Sequence, residues 1–158
     1  MELTPGETYK FKVSAYNIIG ESALTQLRTG QDLLGDAVDY VLAADLPEAP
    51  SNPPTVVSFT QTALTLTLEE LDEAMNGGSA VTAYLVQIDD GLGVGNFRQV
   101  HNSLTTSLII SDLFGGRTYK IRYAARNAVF DSGNMFDCDS LKWSNTASVL
   151  TAVEPVAP

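Results

Sequence analysis

One cysteine and one histidine stand among 158 residues. A lone Cys138 cannot close an internal disulfide, and a lone imidazole, His101, leaves little material for a metal centre or for acid–base chemistry. Basic residues are also few: nine Lys and Arg against nineteen Asp and Glu, a formal net charge of −10. Phosphate backbones and anionic lipid surfaces are both bound through a basic surplus, so neither nucleic acid nor an acidic membrane is an expected partner. No run approaches the length of apolar residues that spans a bilayer as a helix, so no membrane insertion by this segment is expected. Met1-Glu2-Leu3-Thr4-Pro5 lacks the basic start and apolar stretch of a secretory signal. Neither Arg-Gly-Asp nor an Asn-x-Ser/Thr sequon occurs, which removes integrin recognition by that tripeptide and N-glycosylation of this segment.

Apolar residues make up 44% of the chain and charged residues 18%, enough to build a packed core. The most informative feature is internal repetition. Residues 3–17 align with residues 113–127 at a shift of 110, and Leu, Gly, Thr, Tyr, Lys, Ala and Asn recur at seven of the fifteen positions. Residues 41–50 align with 149–158 at a shift of 108, carrying Val-Leu, Ala and two prolines across. A period of this size is a domain, not a solenoid repeat. The expected organisation is a partial repeat over 1–46, comprising its last two strands and the long loop between them, followed by a complete repeat over 47–158. The closing Pro155-Val156-Ala157-Pro158 is expected to begin a linker to a further copy.

Ala63-Leu64-Thr65-Leu66-Thr67-Leu68 alternates with a period of two, the signal of a half-buried strand. Tyr84–Ile88, Phe97–Val100, Ser107–Ile110 and Tyr119–Ala125 are further strand candidates, separated by turns such as Asn76-Gly77-Gly78 and Asp89-Asp90-Gly91. Strands at this spacing, with no helix beyond a turn near 68–75, predict an antiparallel sandwich.

Several local patterns are specific. Leu113-x-x-Gly116-x-x-Tyr119 and Leu3-x-x-Gly6-x-x-Tyr9 resemble a tyrosine corner, in which the phenol ties back to upstream backbone. Pro47-x-x-Pro50 resembles a linker into a first strand. The Asn76–Tyr84 stretch resembles the turn into a third strand, and Tyr119-x-Ile121-x-Tyr123-x-Ala125-x-Asn127 resembles a sixth. On these residues the chain resembles the fibronectin type III family. The resemblance implies an all-β, immunoglobulin-like antiparallel β-sandwich with seven strands in the complete domain.

The chain departs from the family pattern in two places. Leu68 stands where the family usually has tryptophan, so neighbours must repack or leave a destabilising void. The usual proline after that strand is missing, which leaves Glu69–Glu73 free to form a short helical turn. The loops between the last two strands, 18–38 and 128–145, are also long, and loops of this length are functional or disordered. Both are apolar, and 128–145 is expected to pack back on its own domain. Its residues Phe130, Asp131, Met135, Phe136, Asp137, Asp139 and Trp143 are the candidate interaction surface. Lys142-Trp143-Ser144 partly resembles the tryptophan–serine segment of cytokine-receptor relatives, which implies a stack on Arg122 and Arg126. Burial against Phe130 or Met135, and exposure as a binding hot spot, are the alternatives.

In the partial repeat, Tyr9, Phe11, Val13 and Ala15 form an inward face with nothing to cover it. The hairpin 7–17/38–44 is therefore expected to pair with another chain, with the rest of a longer protein or by strand exchange, or else to be disordered.

Other candidate chemistry is weaker. Gly91-Leu92-Gly93-Val94-Gly95-Asn96 lacks the third glycine and the following helix of a phosphate cradle. His101 is expected at a solvent-facing strand end, with no Ser103, Ser107 or Cys138 placed to act as its nucleophile. Cys138, flanked by Asp137 and Asp139, reads as an unreactive thiol. Asp89, Asp90, Asp131, Asp137 and Asp139 follow no calcium-loop pattern. No catalytic residue, metal or cofactor is expected.

The resemblance thus implies a non-catalytic interaction and spacer module from a tandem array in an adhesion, receptor or scaffold protein. Its partners would be neighbouring repeats and another protein, at a cell surface or outside the cell. An intracellular cytoskeletal or axonemal component, or an accessory domain of a secreted carbohydrate-active enzyme, is the alternative.

Overall fold

The computed structural model describes residues 2–10, 12–24, 40–131 and 138–153. The chain divides into two compact units, Met1–Ala44 and Asp45–Pro158.

The first unit holds β1 (Thr8–Lys10), β2 (Tyr16–Asn17), β3 (Gly20–Glu21) and β4 (Tyr40–Leu42). Strands β1 and β4 pair antiparallel with Tyr9 opposite Val41, and β2 and β3 form a short ladder of their own. Before β1, Gly6 turns the chain with φ +87°, a conformation that costs glycine little. The Tyr9 hydroxyl accepts a 2.7 Å bond from the Thr4 amide.

Among its described residues the second unit contains seven strands: β5 (Thr55–Phe59), β6 (Leu64–Thr67), β7 (Val81–Ile88), β8 (Arg98–Ser103), β9 (Ser107–Ile110), β10 (Thr118–Asn127) and β11 (Ala147–Leu150). They make two antiparallel sheets, β5–β6–β9 and β8–β7–β10–β11. Alternation decides which side chains meet between them. Leu64 and Leu66 point inward from β6 while Thr67 is exposed. Tyr84, Val86 and Ile88 from β7 and Tyr119, Ile121, Tyr123 and Ala125 from β10 join them in one contiguous core. Each large side chain so buried contributes about 1.5–3 kcal/mol relative to exposure.

Leu68, where the resemblance leads one to expect tryptophan, is buried in this same core, which also holds two tyrosines. Tyr84 and Tyr123 sit with ring centroids 6.3 Å apart. Both hydroxyls reach the segment after β6: Tyr84 Oη accepts from the Leu71 amide at 2.9 Å, and Tyr123 Oη donates to the Glu69 carbonyl at 3.2 Å. Those backbone groups are thereby committed, and the helical turn expected at Glu69–Glu73 forms later, as a 3₁₀ turn over Glu73–Met75. At the far end of β7, Asp89 extends the ladder to β10. Its amide donates to the Lys120 carbonyl at 3.0 Å, and its carboxylate stands in for a backbone acceptor by taking the Lys120 amide at 2.8 Å.

The tyrosine corner recurs with the geometry of the first unit. Gly116 has φ +74°, and Tyr119 Oη accepts from the Phe114 amide at 2.9 Å. Tyr119 lies opposite Val149, as Tyr9 lies opposite Val41. Gly116 N donates to Thr151 O and Thr151 N to Arg117 O, while Gly6 N donates to Ala43 O and Ala43 N to Glu7 O. The shifts of 110 and 108 between the two sequence echoes carry each of these bonds onto its counterpart.

The leading segment of the second unit, Asp45–Pro50, is clamped to the turn before β7. Asp45 N donates to Gly77 O and Glu48 N to Met75 O, and Leu46, Pro47 and Pro50 are buried. Asn127, fully buried, closes the clamp. Its Nδ2 donates to Asp45 O at 2.8 Å and Asn76 O at 2.9 Å, and its Oδ1 accepts from Val129 N at 3.1 Å. Asn127→Ala removes both of these part-buried bonds and the one to Val129 N, so urea unfolding is expected to show about 2 kcal/mol of lost stability with an unchanged m-value. A loss under a few tenths of a kcal/mol would mean that water replaces the carboxamide.

Candidate functional site

The long connection after β10 begins with a one-turn helix, α1 (Ala128–Asp131), and resumes as a 3₁₀ turn over Cys138–Ser140. Residues 132–137, with candidate residues Met135, Phe136 and Asp137, lie outside the described residues. The described parts return to their own domain. Leu85 of β7 and Ala124 of β10 point away from the main core, and Leu141 covers them, with Phe130, Cys138 and Trp143 packed around. Two adjacent strands that bury both faces read as long apolar runs, which explains why 84–86 and 123–125 show no alternation.

Arg122 is the centre of this outer face. Its guanidinium lies 4.2 Å from the Phe97 ring centroid and 4.6 Å from that of Trp143, between the two rings. Its Nε and Nη2 both donate to Gln87 Oε1, at 3.0 and 2.8 Å. Burial pulls the Arg122 pKa below its ordinary value, and the charge of Asp139 opposes that shift. Trp143 Nε1 donates to the Cys138 carbonyl at 3.0 Å, fastening the ring to the turn before it. Trp143 therefore lies against Arg122, and it and Phe130 both pack on the cluster of Leu85, Ala124 and Leu141. Arg126 stays out of the stack because Asp131 holds it at 3.4 Å; the second oxygen of Asp131 accepts from Thr82 Oγ1 at 2.7 Å.

Asp131 and Asp139 are exposed, while Phe130 and Trp143 are half-buried. Gln87 and Phe97 carry no distinguishing motif in the sequence. The signal for Gln87 is positional, since it lies directly across from Arg122 in the β7–β10 register. The remaining titratable groups do not assemble. His101 lies within β8, half-buried, rather than at a solvent-facing strand end, because β8 runs on to Ser103. Its Nε2 donates to the Thr105 carbonyl at 2.9 Å, and Ser103 Oγ pairs with Thr105 Oγ1 instead. Cys138 Sγ contacts Gln99 Oε1 at 3.9 Å. The glycine-rich segment 91–96 joins β7 to β8, with no helix after it. Among the described residues no three His, Cys, Asp or Glu side chains gather as a metal cluster, and no helix is long and apolar enough to cross a membrane.

No family model matches the chain. The chain is 25% identical over 147 residues to chicken (Gallus gallus) fibronectin type-III domain-containing protein 3a, a match covering 93% of this chain and 11% of that protein. The sixth fibronectin type III domain of human fibronectin type III domain containing protein 3 superposes with a TM-score of 0.53 at 20% identity, covering 71% of this chain and 93% of that one. The second unit has the fold of a fibronectin type III domain. Domains A168–A170 of titin superpose with a TM-score of 0.55 at 24% identity, over 70% of this chain and 34% of theirs. In the terms of that fold, β8–β7–β10–β11 is the four-stranded sheet, and the described parts of the connection between its last two strands pack on the sheet's outer face, where Trp143 rests on Arg122.

Proposed function

We propose that this chain is a non-catalytic spacer and interaction segment of a tandem fibronectin type III array. Residues 1–46 are the closing part of one repeat, and 47–158 are the complete next repeat with its exit linker. The observation that carries this reading is the doubled hairpin: two tyrosine corners, 110 residues apart, with matching hydrogen bonds. The human relative is numbered as a sixth such domain and the titin chain holds several domains in series, which supports an array. The loop 128–145 is the interaction surface; its described ends are supported on the sheet by Trp143 against Arg122 and by Asp131 against Arg126 and Thr82. In an adhesion, receptor or scaffold protein the sandwich supplies a stiff spacer on which that loop varies.

A spacer resists extension. Pulled from its ends, the chain is expected to give one main force peak for the complete unit, releasing about 35 nm at roughly 3.3–3.6 Å per residue. Extension without a peak would count against a mechanical spacer. The coding sequence on either side should repeat Leu-x-x-Gly-x-x-Tyr at a spacing close to that of the two corners, and a hydrolase domain directly adjoining would overturn the array.

A further inference from the structure

Of the four strands that lie outermost in the two sheets of the second unit, three are protected against further pairing and β9 is not. Each of β5 and β8 carries one residue more than its partner where the register shifts, Val57 between Val56 and Ser58 and Val100 between Gln99 and His101. A bulge of this kind twists an edge away from a flat partner. Strand β11 lies against β5. Strand β9 keeps a regular register with β6 over Ser107–Ile110, and among the described residues it has no second strand partner.

The ladder fixes which backbone groups β9 leaves open. The Leu68 amide donates to the Thr106 carbonyl at 2.7 Å, so Thr106 faces Leu68 in a hydrogen-bonded pair. Such pairs alternate along an antiparallel ladder. The alternation assigns the backbone of Leu108 and Ile110 to β6 as well, and turns the N–H and C=O of Ser107 and Ile109 outward. The side chains of Ser107 and Ile109 lie on the outer face of the sheet, and Ile109 is 71% exposed. No Lys, Arg, Asp or Glu occurs within residues 49–68 or 99–111. Strands β5, β6 and β9 therefore form a sheet without formal charge in a chain of net charge −10.

We propose that the open edge of β9 pairs antiparallel with the β9 edge of a second copy of this chain, joining two three-stranded sheets into one continuous sheet. Charge selects the occupant. Two chains of net charge −10 repel wherever their acidic surfaces meet, and this sheet is neutral on both sides of the contact. Two-fold symmetry completes the bonding. Pairing centred on Leu108 sets Ser107 opposite the second copy's Ile109 and Ile109 opposite its Ser107, so every outward N–H finds an outward carbonyl. The contact stands on the second unit alone, independent of the array reading, and lays two chains side by side.

Sedimentation equilibrium of the whole chain is expected to show a monomer–dimer equilibrium with a dissociation constant of about 0.1 mM, in keeping with a small interface. Added salt should hold or tighten the dimer, because it screens the acids without touching the paired edge. Ile109→Lys places a charge on the exposed edge and should weaken the dimer at least ~tenfold. Ile109→Pro removes an N–H that β6 does not use, and should weaken it as much. Thr67→Lys puts a charge on the same outer face but in the central strand, and should leave the dimer in place. Hydrogen exchange reads the pairing directly. With rising concentration the amides of Ser107 and Ile109 should slow by ~tenfold or more, while those of Leu108 and Ile110 are slow already in the monomer. A chain that stays monomeric at about 1 mM would overturn the second copy as occupant and leave the edge to a strand of another protein. A dimer indifferent to Ile109→Lys, or one without new protection at Ser107 and Ile109, would place the contact elsewhere and overturn the proposal. Loss of the dimer in Thr67→Lys would mean that the sheets pack face to face, which overturns edge pairing.

Discussion

Gly77→Ala is expected to lower the melting temperature of the complete domain by roughly 15 °C, a large effect for a single added methyl. Two costs combine. Gly77 has φ +73°, which strains any residue with a Cβ by about 1 kcal/mol or more. The added Cβ would also overlap the Asp45 carbonyl oxygen and sit 2.8 Å from its carbon and 2.9 Å from the Leu46 oxygen. Both neighbours are backbone, so neither yields by a rotamer change. Relief requires the leading segment to leave Gly77 O and Asn127 Nδ2, exposing Leu46 and Pro47. Strain, two lost bonds and lost burial together come to about 3–5 kcal/mol. Gly93→Ala is the control, since Gly93 has φ +82° with nothing within 4 Å of an added Cβ. It should cost only the conformational part, about 1 kcal/mol. Equal losses from the two substitutions would remove the close approach as the cause.

The same residues show what could be read without coordinates. The repeat, the corners, the inward alternation of β6 and β10 and the return of the long loop to its domain are local or periodic signals, and each is visible in the order of side chains. Asn127 shows where this stops. The alignment of residues 3–17 with 113–127 marks it as a position both copies keep, but its acceptors lie 82 and 51 residues away in sequence. Nothing local names them. Arg122 and Arg126 share a face because they are four apart on a strand, which is legible. That one stacks between Phe97 and Trp143 while the other turns to Asp131 depends on the register of three strands and on where α1 begins. Leu68 is a related case. A small residue at a large position is legible in the sequence, but the company it keeps in the core, Tyr84 and Tyr123 from two other strands, is not.

The outer face supplies the second large effect. Trp143→Ala is expected to lower stability by about 3 kcal/mol, seen as a fall of roughly 10 °C in melting temperature. The ring is only half-buried, which holds the loss to the low end for a tryptophan. The substitution nevertheless removes contact with Leu85, Ala124 and Leu141, the bond to the Cys138 carbonyl and one side of the Arg122 stack at once. Arg122→Ala separates these contributions. Because Phe97 and Gln87 also hold the guanidinium, the single change costs more than the Trp143 contact alone. The coupling in a double-mutant cycle should be about 0.5–2 kcal/mol, the range of a cation–π contact. Hydrogen exchange gives the location. Amides of 138–144 should lose protection in Trp143→Ala, while those of β6 and β9, in the opposite sheet, keep theirs. A coupling near zero would mean that Trp143 holds the loop by apolar packing alone. Unchanged stability and exchange would mean that the loop does not depend on this ring, and would return Trp143 to the role of a surface contact for a partner.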